Sequence, residues 1–426
     1  MKNQPRPLIA LAVLAQFAAL ATAQTTLSWD GGAGTGDWQS AANWNPDALN
    51  PNFNGTYNVR LNINGAQALV YTAAEGATVY ARTGDRGVVI GSGSSGTLTI
   101  TGGSFSTLGS ASADIIGNST NSVGTLNLNG GAFTGTNAGT AMGLGTQTGS
   151  TSTLNVNSGS GTFATITTNS LNATINLNGG TLAANRIARS AGGSVLNLNG
   201  GTLRARQNDT AFVSGLTAVN VLAGGASIDT QGFAVTVGNA LLAGAGSGGL
   251  VKTGSGTLTL AGASTYVGST RVSEGTLALA AAGSIANSSA LVVSAGAVFD
   301  STAHATFTAP GSVTLDVGSA TAGFLSASTL NLDALVLNFG TATPSASYDL
   351  FGGTSISINS ITLAGAGFSG ALANNAGLWS GSANGFQLTF DEATGLLSAT
   401  AIPEPSAFAL LAGLAGCASA ALRRRR

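Results

Sequence analysis

One cysteine in 426 residues excludes a disulfide framework and a thiolate metal site, and Cys417 lies in an apolar run at the C-terminal end. The single histidine, His304, has no Cys or Asp at triad or ligand spacing, which leaves little room for histidine-based catalysis or metal binding. Charged residues make up only 7% of the chain, and Lys2, Arg6 and Arg423 to Arg426 place much of the positive charge at the two ends. Between those ends nine basic groups face fifteen acidic ones, a net of −6, which disfavours nucleic acid as a partner. Capped helical periodicity is missing from the central part of the chain. Low charge with 63 glycines is a composition that disordered chains share, but regular rows of Leu, Ile and Val argue for order.

What is present is a recurring phrase. Val195-Leu-Asn-Leu-Asn-Gly-Gly-Thr-Leu203 repeats Thr174-Ile-Asn-Leu-Asn-Gly-Gly-Thr-Leu182 at 21 residues, and Thr153-Leu-Asn-Val-Asn157 lies 21 residues further back. Thr125-Leu-Asn-Leu-Asn-Gly-Gly131 and Thr97-Leu-Thr-Ile-Thr-Gly-Gly103 precede at steps of 28. Looser copies follow at Ala218-Val-Asn-Val221 and Thr257-Leu-Thr-Leu260. Such a period marks an array of equal units. Within each unit leucines alternate with amides, so a strand turns Leu196 and Leu198 to one face and Asn197 and Asn199 to the other. The Gly-Gly step permits a turn through positive φ.

One strand of this kind buries two or three apolar side chains at roughly 1.5–3 kcal/mol each, too little to offset the ordering of its whole repeat. Stacking the units covers each leucine row with the next and pairs each backbone edge. Coils that close at a fixed interval place successive strands in the same direction. The expected fold is all-β, a parallel β-helix, with matching asparagines in ladders whose amides bond from rung to rung.

Residues 1–23 combine Lys2 and Arg6, an apolar run from Leu8 to Leu20, and small residues at Ala21 and Ala23, the pattern of a signal peptide cut by signal peptidase before Gln24. Residues 24–87 are expected to form an N-terminal cap and the first rungs. Trp29, Trp38 and Trp44 crowd there, where large rings can cover an open solenoid end. An aromatic platform for sugars and a calcium loop through Asp30 and Asp37 are the competing readings. Residues 88–307 carry the repeats, and 308–400 read as C-terminal rungs and a cap in which Trp379 covers the last layer.

The few charges of the body fall mainly in the intervals between strand phrases. Arg186, Arg189, Arg204 and Arg206 form its one basic cluster, with Arg186 and Arg206 nearly superposed under a 21-residue rung. They offer a contact for an anionic polysaccharide through charge-assisted hydrogen bonds. The competing reading is of solvated turn residues balanced by Asp209. No catalytic group stands out: Asp391 and Glu392 are adjacent and point to opposite faces of a strand, and Asp209, Asp229, Asp300, Asp316, Asp333 and Asp349 are singly spaced. No cofactor or metal is implied.

From Gly249 to Leu277, the residues Lys252, Gly254, Gly256, Thr257-Leu258, Gly262, Thr265-Tyr266, Gly268, Thr270, Val272 and Gly275-Thr276-Leu277 follow one dense pattern. The stretch 249–279 resembles the autotransporter-associated β-strand repeat. That resemblance implies a right-handed parallel β-helix on or outside the cell surface, with Thr257-Leu-Thr-Leu260 and Thr270-Arg-Val272 as strands of one coil and Tyr266 as a core or turn filler. The membrane barrel that ends a true autotransporter has no counterpart in 308–400, which is too short and is followed by another element.

That element is Pro403-Glu404-Pro405, then the uncharged run 406–422, then Arg423, Arg424, Arg425 and Arg426. As a helix the run spans about 25 Å, near the ~30 Å of a bilayer core, with the arginines held in the cytoplasm. The arrangement over 402–426 resembles the PEP-CTERM sorting signal, which implies an exosortase-type processing protease as partner and release from a transient inner-membrane anchor. The combined expectation is a non-enzymatic, exported surface or extracellular-matrix protein, associated with exopolysaccharide. A surface adhesin or glycan-binding passenger is the alternative, and a polysaccharide lyase or hydrolase a more distant one.

Overall fold

The computed structural model describes residues 25–29, 41–45 and 55–402, except 58, 66–68, 76, 83–86, 110–113, 136–140, 170–171, 191, 345–346, 354 and 366. The chain is all-β, a solenoid of the right-handed parallel type. Among the described residues its only helical turns are the short 3₁₀ segments Ala41–Asn43 and Ala73–Glu75, and no helix is long and apolar enough to cross a membrane. The expected signal peptide at 1–23, the motif Pro403-Glu404-Pro405, the span 406–422 and the Arg423–Arg426 tail lie outside the described residues. The chain forms two compact units, one ending at Gly248 and one beginning at Gly249.

In the first unit the repeated phrase builds one column of parallel strands: Leu69–Tyr71, Ser95–Ile100, Val123–Leu128, Thr151–Val156, Asn172–Leu177, Ser194–Leu198, Ala218–Val221 and Leu241–Ala243. Its register follows the sequence repeat, aligning Thr97, Thr125, Thr153, Thr174, Val195 and Ala218. The next residues, Leu98, Leu126, Leu154, Ile175, Leu196 and Val219, form a buried apolar row. Each member covers the one before it, which is how units too small to fold alone share a core.

Two more columns complete the coils of this unit. The second passes through Ala132–Gly135, the first part of Ser160–Thr168, the first part of Thr181–Arg189, Thr202–Ala205 and Ala226–Asp229. The third passes through Ala141–Leu144, the latter parts of the same two long strands, Asp209–Ser214 and Ala234–Val237. The change of period from 28 to 21 has a visible cause. Gly135 pairs with Phe163 and Ala141 with Thr165, so five residues of the longer coil are replaced by Ala164 alone and two strands merge into one bent strand. Leu144 pairs with Thr168 and Thr151 with Asn172, so six further residues are replaced by three. The rings of Tyr71, Phe105, Phe133 and Phe163 follow one another inside at centroid spacings of 5.7, 5.6 and 5.7 Å.

Gly200 adopts φ 96°, the conformation the Gly-Gly step was expected to supply. At the start of the unit, Trp29 pairs antiparallel with Trp44, and their buried rings meet edge to face at 5.3 Å. Trp38, Asp30 and Asp37 lie outside the described residues.

In the second unit, Leu250–Thr253, Thr270–Val272, Ala290–Val293, Ser312–Asp316, Ala334–Asn338 and Ile361–Ala364 stack in parallel. Thr257–Leu260, Thr276–Leu279, Val298–Asp300, Phe324–Ser326 and Phe351–Gly352 form a second column. The parallel pattern then gives way to an antiparallel sheet of Ser347–Asp349, Ala373–Asn375, Leu378–Ala383, Phe386–Asp391 and Leu396–Ala401. Trp379, Leu388, Phe390 and Leu397 of this sheet are buried, and Phe390 meets Phe351 of the last parallel coil at 5.6 Å. A change to antiparallel pairing removes the template that an open parallel rung would offer to another chain.

Candidate functional site

The outward face of the first column carries two amide ladders. Asn127 donates to Thr99 Oγ1 at 3.1 Å, Asn155 to Asn127 at 2.8 Å, Asn176 to Asn155 at 2.8 Å, Asn197 to Asn176 at 2.7 Å and Asn220 to Asn197 at 2.9 Å. Beside it, Asn157 donates to Asn129, Asn178 to Asn157 and Asn199 to Asn178, at 2.7, 2.9 and 3.4 Å. Every bond runs from Nδ2 of the later rung to an oxygen of the earlier one. Chains of this kind polarise one another and hold each amide in one orientation. The face is ordered and uncharged, with the expected rung-to-rung bonding in place.

The arginine cluster differs from its expected arrangement. Arg186, Arg189 and Arg204 lie on strands rather than turns. Arg206 stands over Asn185 instead of Arg186, because its amide bonds to Ala184 O, and its Nη1 donates to Asn185 Oδ1 at 3.3 Å and to Phe163 O at 2.9 Å. A coil of 21 residues carries 186 to 207, so the difference is a register of one residue. Nor are the guanidinium groups an open cationic patch. Arg186 uses Nε and Nη2 on the two carboxylate oxygens of Asp209, both at 2.9 Å, and Arg204 Nε bonds Asp229 Oδ2 at 2.9 Å. Arg189 Nη1 donates to Gly192 O at 3.0 Å.

These pairs shift the ionisations in the expected sense. The side-chain hydrogen bond to Asp209, with the carboxylate charge behind it, raises Arg186 above the ordinary guanidinium value. Burial pushes Asp229 upward, but hydrogen bonds from the backbone and side chain of Gln231 and from Arg204, aided by the arginine charge, leave it below the ordinary carboxylate value. Arg186 and Asp209, with Gln207, Asn208, Thr210 and Ala234, line a cavity of about 520 Å³.

The second unit holds a related arrangement that sequence spacing did not single out. Arg271 Nη2 donates to Ser294 Oγ at 2.8 Å and to Asp316 Oδ2 at 3.1 Å, and Asn338 Nδ2 donates to Asp316 Oδ1 at 2.8 Å. Ser294, Asp316, Asn338, Gly340 and Thr341 line a neighbouring cavity of about 430 Å³. The remaining acids examined for catalysis are scattered: Glu392 accepts from Trp379 Nε1 at 2.6 Å, while Asp391 accepts from Ala393 N and Thr394 Oγ1. Among the described residues no group of three or more His, Cys, Asp or Glu is placed to hold a metal ion.

The coil that begins at Leu250 explains its own dense pattern. Lys252 is fully buried, and its ammonium donates to the carbonyls of Thr253, Gly254 and Glu274 at 3.0, 2.6 and 2.9 Å. It thereby ties its own turn to the turn of the next coil, where Gly275 sits at φ 66° with the carbonyls of Gly254 and Gly256 against the space a Cβ would fill. Tyr266 is buried, its hydroxyl 2.6 Å from Thr270 Oγ1, which is itself 3.0 Å from Ser288 Oγ. Burial pushes the Tyr266 phenol well above its ordinary value, so it stays protonated. Lysine, glycine and tyrosine here are structural parts of a coil.

A family model described as the passenger-associated-transport-repeat matches residues 250–279. None of the curated proteins and none of the solved structures matches the chain. The matched stretch is the coil just described, and its type implies an exported protein of the surface or extracellular space. The repeat and the β-solenoid together describe a passenger-like surface protein.

Proposed function

We propose that this chain is a non-enzymatic structural solenoid of the cell surface or extracellular matrix, sorted by an exosortase-type protease and associated with exopolysaccharide. The observation that carries the reading is the passenger-type repeat at 250–279 folded as a coil of a β-solenoid. An array of this kind gains length at little cost in folding complexity, because each coil is stabilised by its neighbours. Low charge and ordered amides suit a wall or matrix component that must stay extended outside the cell. The aspartates of the body support the non-catalytic part of the proposal, since Asp209, Asp229 and Asp316 are each engaged by an arginine instead of being paired with a second acid.

The sorting part rests on the sequence from Pro403 to Arg426. In this proposal signal peptidase removes 1–23, the segment 406–422 holds the chain in the inner membrane, and processing near Pro403-Glu404-Pro405 releases the solenoid. Intact mass and fractionation in the native host test it, beside a variant with Pro403, Glu404 and Pro405 replaced by alanine. The proposal expects a released native form shortened near residue 403 and a heavier variant retained in the membrane. Native and variant chains that both keep the Arg423–Arg426 tail in the inner membrane would overturn the sorting step.

A further inference from the structure

We infer that the Arg186–Asp209 cavity and the cavity lined by Asp316, beside Arg271, are two contact sites of one chemistry, each accepting an uncharged, hydroxyl-rich sugar unit of a polysaccharide. The inference rests on the exopolysaccharide reading and narrows it. In the first cavity the carboxylate of Asp209 and the guanidinium of Arg186 lie side by side in a doubly bonded pair, with amides from Gln207 and Asn208 and the hydroxyl of Thr210 on the same lining. In the second, Asp316 is bonded by both Arg271 and Asn338, with Ser294 and Thr341 alongside.

A sugar hydroxyl is at once a donor and an acceptor, so neighbouring hydroxyls are matched by a surface that presents both. The arginines supply donors, and the side-chain amides and hydroxyls beside them supply both. Each arginine keeps N–H groups outside its ion pair, while the carboxylates are further engaged, Asp209 by Ala211 N and Asp316 by Asn338. The arginine groups reach solvent, since the Arg186 and Arg271 side chains are 45% and 44% exposed. The Asp209 and Asp316 side chains are only 3% and 20% exposed, so the accepting part of each surface falls mainly to the neighbouring amides and hydroxyls. An arginine–aspartate pair of this kind recurs beside a cavity in each unit.

Charge decides the class of sugar. In both cavities the formal charges of the pair cancel, and a uronate or sulfate would meet the carboxylate of Asp209 or Asp316 at close range. A neutral glycan meets no such repulsion. Its binding is correspondingly insensitive to salt, whereas an anionic chain on a free arginine patch would be strongly screened. Neither cavity has an exposed aromatic ring for a sugar face, so each contact is weak alone. Two sites on one chain raise the avidity for a polymer that engages both.

The test is affinity electrophoresis of the intact chain purified from its host, through gels containing laminarin or dextran, both neutral, or polygalacturonate. The inference expects retardation by a neutral glucan that persists at high salt. Arg271→Gln and Asp209→Asn should each weaken retention several-fold and together by about tenfold or more, through loss of charge-assisted contacts. Arg271 is exposed, so its variant keeps the fold even if Asp209→Asn does not, and thermal melting identifies any variant that has lost it. Arg189→Ala, whose arginine bonds to Gly192 O and touches neither a lining carboxylate nor either cavity, should retain as the native chain does. Unchanged retention by a folded Arg271→Gln and Asp209→Asn double variant overturns the assignment of the sites and leaves polysaccharide association standing. Tighter, salt-sensitive retention by polygalacturonate overturns the neutral class. Retention by none of the three overturns this inference and the exopolysaccharide reading together.

Discussion

Asn176 donates its side-chain amide to the side-chain oxygen of Asn155 at 2.8 Å, although the two residues are 21 apart in sequence. The same Asn176 accepts from Asn197 at 2.7 Å, so one side chain fastens three successive coils. Replacing it with alanine removes both bonds, at about 0.5–1.5 kcal/mol each. Asn176→Ala is therefore expected to lower stability by roughly 1–3 kcal/mol. Asn178→Ala, in the more exposed second ladder, should cost less because water replaces its partners. Urea denaturation of the two variants beside the native chain checks the order.

Lys252 holds three carbonyls in a place from which water is excluded. Lys252→Met keeps the volume and loses every donor, leaving the carbonyls of Thr253, Gly254 and Glu274 without it. The expected loss is about 3 kcal/mol or more, the scale of a buried charged hydrogen-bonding group whose partners stay behind. The midpoint of urea unfolding measures it. A methionine variant as stable as the native chain would contradict the structural role given to this ammonium.

The pH dependence has a defined sign at Asp229. Its carboxyl titrates below the ordinary value of 3.8 in the folded chain, so the folded state binds the proton less readily than the unfolded state. The stability it contributes is present above the ordinary value and is lost as the pH falls through the lower folded value. Melting temperature followed from about pH 5 to about pH 2 should fall more steeply for the native chain than for Asp229→Asn, which has no such proton to take up.

The amide ladders were legible in the sequence because their spacing equals the coil length and strand residues alternate with a period of two. Thr97, Thr125, Thr153 and Thr174 pair in the register their spacing predicts. The arginine contacts were not legible to the same degree, since they depend on a single residue of register at a corner. Arg206 falls over Asn185, and the pairing from Asp209 to Val213 is irregular. Asp209 was legible as a balancing charge for the cluster, but the individual pairs at separations of 23 and 25 residues, Arg186 with Asp209 and Arg204 with Asp229, do not follow from a spacing of 21. Burial of Lys252 runs against the usual exposure of lysine, and its fixed place in the dense pattern 249–279 was the one signal available.

Display of the solenoid outside the cell is the central claim, and the thiol-poor composition makes it measurable. Val123 is 44% exposed on the strand that carries Asn127, so Val123→Cys places an accessible thiol on the ladder face. Intact cells of the native host carrying this variant are treated with a membrane-impermeant maleimide, with the native chain and its Cys417 as background. The account predicts labelling in intact cells and in the released fraction equal to that after lysis. Labelling that appears only after the envelope is broken would contradict it.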